Sequence, residues 1–189
     1  GGIDSALVST LCLMTGLKTI LVEMPIKTND NYKDDETAGT RHIMWLQEKF
    51  DNIEHVRVDL TDAFNVFKST LKPHLDSKNF DLTMANTASR LRMTTLYSFS
   101  NSYRGIVVGT GNKVEDFGIG FFTVGGDGQV DISPIADLMK SEVYELADYL
   151  GVNKEIINSR PTDGLWDDGR TDEDQIGASY DELEWAMKY

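Results

Sequence analysis

The sequence predicts an α/β fold, a doubly wound parallel sheet flanked by helices, in a single domain over 1–189. Three observations predict it. Short apolar stretches of strand length alternate with longer stretches of helical periodicity, the pattern of a parallel sheet covered on both faces. Polar, Gly-bearing turns fall where such strands would end. The 189 residues, 40% hydrophobic and 26% charged, are enough for one buried core, with 16 Gly and 4 Pro and no repeat or low-complexity tract.

The elements follow in order. Leu7, Val8, Leu11 and Leu13 give 5–15 the apolar side of a short buried helix. KTILVEMP at 18–25 reads as a buried strand ended by its proline. A polar loop at 28–35 precedes a helix over 36–50, with Ile43, Leu46 and Phe50 on one side. HVRVDL at 55–60 alternates as a strand, and Thr61 is placed to cap a helix over 62–71. A long helical pattern covers 81–103, and GIVVGT at 105–110 reads as a third strand. Met139, Val143, Leu146 and Leu150 mark a helix over 139–150. Ser179 and Glu182 form a capping box for a last helix over 179–188. The stretch 160–175 has no periodicity and reads as a long loop of the kind used as a lid. The Gly1–Ser5 turn stands where a strand normally comes first, so the expected first strand lies upstream.

Composition narrows the function. Eighteen Lys+Arg against 31 Asp+Glu leave a net charge of −13, which disfavours nucleic acid or a membrane as the main partner. One cysteine, Cys12, rules out an internal disulfide framework or a cysteine metal cluster, and His42, His55 and His74 make no zinc motif. No apolar run has the length of a bilayer span. A reducing, cytoplasmic setting is expected.

Five segments carry candidate chemistry. In the first, Gly1 and Gly2 let backbone amides approach an anion at a helix N-terminus, Ser5 supplies a hydroxyl, and Asp4 can hold a magnesium ion. No lysine follows as in a Walker A loop, and GTGNKV at 109–114 lacks the third glycine of a dinucleotide fingerprint. In the second, Thr110 reaches the sheet edge and Glu115 offers a second carboxylate to the same metal, the alternative being a solvated helix start. In the third, Asn86 and Arg90 are four residues apart on one helical face, and Arg92 points elsewhere. Arg90 suits a planar or phosphate partner, although an ion pair would account for either arginine. In the fourth, Lys140 stands at a helix start, against the macrodipole, which calls for an anionic ligand or an acidic neighbour. The fifth is PTDGLW at 161–166, turn chemistry with an apolar anchor. Cys12, Trp45 and Trp185 read as packing, and the run Asp172–Glu173–Asp174 reads as a solvated patch.

Together these segments resemble the ammonia-dependent NAD synthetases, of the N-type ATP pyrophosphatase group with its adenine nucleotide alpha hydrolase-like fold. GGIDS, NTASRLRM at 86–93, GTGNKVE at 109–115, GFFT at 120–123, DISPIADLMKSEVYELA at 131–147 and PTDGLWDDGRTDEDQIGASYDELE at 161–184 follow in that family's order. The resemblance implies that Gly1, Gly2 and Ser5 hold the ATP phosphates and that Asp4 and Glu115 bind Mg2+. It implies that Thr110, Lys140 and Thr162 contact ATP and that Arg90 and Asp131 contact deamido-NAD, with Asp4 and Lys140 catalytic. It also implies a homodimer and ammonia as the nitrogen donor. The expected reaction is ATP-dependent: the nicotinate carboxylate attacks the α-phosphate, and ammonia displaces AMP from the acyl-adenylate. No side-chain nucleophile is required, in keeping with the lack of a Ser-His or Cys-His signal. Three departures stand out. The loop's leading serine is not in the sequence. Val124-Gly125 replace the family's Lys-Tyr pair. A substrate-binding His-Lys pair would lie beyond Tyr189. Two rivals remain at this point: another ATP pyrophosphatase acting on a different acceptor, and a nucleotide-binding protein disabled at Val124.

Overall fold

The structure, a computed structural model, describes residues 2–27, 37–160 and 171–188. Helix α1 (Ile3–Met14) buries Ile3, Ala6, Leu7, Val8, Thr10 and Leu13 along one side. It leads into β1 (Thr19–Glu23). Helix α2 (Ala38–Lys49) is capped by Thr37, whose side chain accepts from the Thr40 amide, and leads to β2 (Ile53–Arg57). The two strands are parallel and in register from Thr19 opposite Ile53 to Glu23 opposite Arg57. A parallel pair needs a crossover, and α2 supplies it. The expected polar loop at 28–35 lies outside the described residues.

Helices α3 (Thr61–Leu71) and α4 (Phe80–Tyr103) follow, and α4 packs Met84 and Ala88 against Phe64 of α3. Thr61 is not the cap: it is the first residue of α3, and its hydroxyl accepts from the Lys27 amide (3.0 Å), fixing the end of the β1 segment. Nor is 105–110 a full strand. Val108 makes one parallel bridge to Ile132, and the Gly109 amide donates to the Ile132 carbonyl (2.8 Å). Pro134 follows two residues later and has no amide with which to extend a ladder.

The largest core cluster lies where α1 meets α5 (Lys140–Tyr149). Leu7, Ile135, Val143 and Ala147 are completely buried there, with Val152 and, from α6 (Lys154–Ile157), Ile156 beside them. Burial of each such branched side chain is worth about 1.5–3 kcal/mol. This seam brings the first turns of α1 and α5 together. A smaller cluster joins Val114, Met139 and Tyr180, with Leu183 and Met187 packed on it.

Part of the expected loop at 160–175 is helical. Helix α7 (Asp172–Ile176) has a Thr171–Asp174 capping box and ends at Gly177 in the left-handed region. Five residues are too few to show periodicity, so only the cap marks it. The Ser179–Glu182 capping box forms as expected and opens α8 (Tyr180–Lys188). The parallel strands flanked by helices bear out the predicted fold class.

Candidate active site

Asp4 lies in the first turn of α1 and Lys140 is the first residue of α5, so the core seam sets their separation. The Lys140 ammonium donates to Asp4 Oδ2 (2.7 Å) and to Glu115 Oε1 (2.8 Å), and its side chain is only 2% exposed. Burial pulls that ammonium down, but Asp4 and Glu115 together outweigh it and hold the lysine above its ordinary value. The misfit of a lysine at a helix start thus has an acidic explanation within the chain.

Glu115 is delivered by a π-helical turn, Val114–Ile119, closed at Gly120 in the left-handed region. Such turns are rare and concentrate at functional sites. The wide turn follows a buried Asn112 that serves both acids. Its Nδ2 donates to Asp4 Oδ1 (3.0 Å), and its Oδ1 accepts from the Glu115 amide (3.1 Å). Glu115 is therefore no solvated helix start, its side chain being 15% exposed. The Tyr180 hydroxyl donates to Glu115 Oε1 (2.6 Å), with its ring 4.9 Å from the Lys140 ammonium. Burial, then the Glu115 charge, push the Tyr180 phenol up, so it remains a donor. Behind the turn, Asp116 lies against Gly111, where a Cβ would sit on its carboxylate. Burial first, then Glu115, Asp127 and Asp4, push Asp116 up to about 6.

Two carboxylates facing one ammonium leave a net negative charge in a half-enclosed space. That environment favours a further cation. The donor set, carboxylate oxygens of Asp4 and Glu115, is of the kind a hard divalent ion takes alongside phosphate oxygens and water. At the N-terminus of α1, Gly2 has an ordinary extended backbone and open space in front of it. Ser5 donates to the Gly2 carbonyl (2.9 Å).

The other expected residues lie along α4 and the segment that covers it. Arg90 Nε donates to the Val124 carbonyl (3.0 Å), so this arginine holds the backbone where Val124-Gly125 depart from the expected Lys-Tyr pair. Asn86 accepts from the Thr123 hydroxyl (2.8 Å), and Arg92 Nε donates to the Met24 carbonyl (3.2 Å). Asp131 accepts from the Val107 amide (2.7 Å) and the Tyr97 hydroxyl (3.2 Å). An open cavity of about 390 Å³ lies beside this segment, lined by Met93, Tyr97, Gly125 and Gln129 among others. Thr110 is half-buried beside the turn. Gly1 and Thr162 lie outside the described residues. The structure thus joins Asp4, Glu115 and Lys140 directly and gathers Asn86, Arg90 and Asp131 around α4.

The NAD synthase family model matches residues 1–189. The chain belongs to the NAD synthase family. It is 38% identical over 188 residues to the NH(3)-dependent NAD(+) synthetase of Carboxydothermus hydrogenoformans, across 97% of this chain and 72% of that protein. Its fold superposes on the NMN synthetase of Francisella tularensis with a TM-score of 0.87 and 36% identity, covering 99% of this chain and 73% of that one. The NH3-dependent NAD synthetase of Campylobacter jejuni, solved with a nitrate ion, gives a TM-score of 0.68 at 31% identity over 83% of this chain and 63% of that one.

Within the candidate site of this NAD synthase family chain, sequence reasoning missed Asn112, Tyr180, Asp127 and Ser89. Asn112 was visible inside GTGNKVE, but its bond to Asp4 spans 108 positions. Ser89 donates to Asp127 (2.5 Å), which accepts from the Thr123 amide (3.2 Å), clamping the 120–129 segment to α4. Asp172, read as part of a solvated patch, is buried, with its carboxylate 3.5 Å from the Tyr180 hydroxyl. A local charge run gives no sign of that burial.

Proposed function

We propose that this site amidates deamido-NAD to NAD with ammonia and ATP, through an acyl-adenylate, releasing AMP and pyrophosphate. The observation that carries the reading is the buried lysine held between Asp4 and Glu115 at the N-terminal ends of α1 and α5. A carboxylate is a poor electrophile because oxide is a poor leaving group. Adenylation by attack on the α-phosphate converts the leaving group to AMP, and ammonia then attacks the acyl carbon. The chain's part is positioning and charge stabilisation. The N-terminal end of α1, with the Gly2 amide and Ser5, faces the polyphosphate. Lys140 donates to oxygens on which charge develops as pyrophosphate leaves. Asp4 and Glu115 hold Mg2+, which when bound supplies charge neutralisation to the triphosphate. Thr110, with Gly1 and Thr162, contacts ATP, and Arg90 and Asp131 face the acceptor nucleotide. A homodimer in a cytoplasmic setting belongs to the same reading and is checked by sedimentation equilibrium and by fractionation of cells.

A second reading has one observation in its favour. The fold matches an NMN synthetase at a TM-score of 0.87, against 0.68 for the Campylobacter NAD synthetase. With Val124-Gly125 at the acceptor segment, the acceptor would be nicotinate mononucleotide rather than the dinucleotide. One assay separates the readings. The intact protein is given ATP, Mg2+, ammonium and either acceptor, and AMP is measured with the amidated product. The expected result is AMP and NAD in equal amounts from deamido-NAD. Faster turnover of the mononucleotide would establish the second reading, and AMP formation with neither acceptor would reject both.

A further inference from the structure

We infer that Tyr180 is a positioning residue for Glu115, fixing which carboxylate oxygen the site offers to the cation that accompanies ATP. The inference rests on the reading of Glu115 as a metal-holding acid. Two donors converge on a single oxygen: the Tyr180 hydroxyl at 2.6 Å and the Lys140 ammonium at 2.8 Å both take Oε1. Oε2 of Glu115 receives no hydrogen bond among the described residues, so it is the oxygen left available to a cation. A carboxylate held by one oxygen cannot rotate freely about its last torsion, which is otherwise broad.

The tyrosine is itself held in place. It is 8% exposed and packs with Val114 and Met139, the residues that precede Glu115 and Lys140. Its amide donates to Glu173 Oε1 (2.9 Å), tying the start of α8 to α7. Four residues on, and so on the same helical face, Glu184 is also buried and accepts from the amide and the hydroxyl of Ser141 (2.7 Å each). Ser141 is next to Lys140. One face of α8 therefore grips both halves of the site, Glu115 through Tyr180 and the first turn of α5 through Glu184. Core packing alone would call for Phe at 180. The hydroxyl's short bond is the one to Glu115 (2.6 Å), the Asp172 carboxylate lying farther off at 3.5 Å.

The test compares wild type, Tyr180→Phe, Glu115→Gln and the double variant in the intact protein. Phe keeps the ring against Lys140 and the packing on Val114, so the melting temperature should barely move. Mn2+ binding is read by electron paramagnetic resonance in the presence of α,β-methylene ATP, without turnover. Tyr180→Phe is expected to weaken Mn2+ binding about tenfold. It should also raise the Mg2+ needed for half-maximal activity, with the KM for ammonia unchanged. In the Glu115→Gln background the same change should have no further effect on Mn2+ binding. Wild-type Mn2+ affinity in Tyr180→Phe overturns the proposal, as does a loss that adds in full to that of Glu115→Gln. Failure of the wild type to take up Mn2+ with the nucleotide would remove the metal reading and this proposal together.

Discussion

Lys140 shows how one residue can carry both fold and chemistry. Its ammonium is buried between two carboxylates, and the two acids have different alternatives when it is altered. Asp4→Asn removes one charge but leaves the Lys140–Glu115 pair intact. The fold should survive, while turnover falls at least about a hundredfold, the usual loss for one well-placed electrostatic contact, about 3 kcal/mol. Steady-state kinetics beside a thermal melt checks this, and near-normal turnover would reject the assignment of Asp4. Lys140→Met differs in kind. It leaves Asp4 and Glu115 facing each other with no cation, and breaking a buried pair in this way costs about 3–5 kcal/mol. The variant should therefore lose stability as well as activity, and urea unfolding measures the loss. The sequence flagged Lys140 because a lysine at a helix start is locally unfavourable, and Asp4 because its turn is rich in glycine. It was silent on Asn112 and Tyr180, whose partners are 108 and 65 positions away. No local pattern encodes such a distance.

At the scale of elements, α1 is held from two sides, by the α5 seam and by His42 of α2. His42 Nε2 lies 3.1 Å from the Ala6 carbonyl and 3.3 Å from the Ser9 hydroxyl, and the ring stacks on Trp45 at 5.3 Å. Among the described residues its buried Nδ1 has no hydrogen-bond partner. The neutral tautomer with its proton on Nε2 satisfies the Ala6 carbonyl, whereas charging the ring adds a proton at Nδ1 that none of the described residues accepts. Burial accordingly pulls His42 below its ordinary 6.5. The sign follows: below pH 6.5 the unfolded chain binds a proton that the native ring refuses, so stability falls as the pH drops through that window. Melting temperatures taken between about pH 7.5 and pH 5 should decline in the wild type, and His42→Gln should show a shallower decline across the same range. Equal slopes would mean that other groups set the acid sensitivity. Periodicity made most of these helices legible, with ends displaced by only a few residues. It failed at 105–110, where tertiary pairing to Ile132 yields a bridge only, and at α7, which is shorter than two helical turns. The π-helical turn that aims Glu115 has no sequence period to read.

The whole molecule poses an electrostatic problem, since a chain of net charge −13 is read as binding a polyanion. The problem is sharpest at the site, where Asp4, Glu115, Asp116 and Asp127 lie near one another and their mutual repulsion, after burial, pushes Asp116 up to about 6. Local cations answer it at short range: Lys140, the positive end of α1, and in the proposed reaction Mg2+. None of these reaches far enough to cancel the field that an incoming nucleotide meets. That field extends about 30 Å at 0.01 M salt and about 10 Å at 0.1 M. Repulsion should therefore slow encounter most when the salt is lowest. With Mg2+ saturating, raising an inert salt from about 10 mM to about 100 mM should increase kcat/KM for MgATP several-fold while kcat stays level, because screening acts on the approach and not on the enclosed contacts. A surface that drew ATP in through a basic patch would show the opposite slope. A flat profile would place the controlling charges in the short-range set around Lys140, leaving the overall acidity without a role in nucleotide capture.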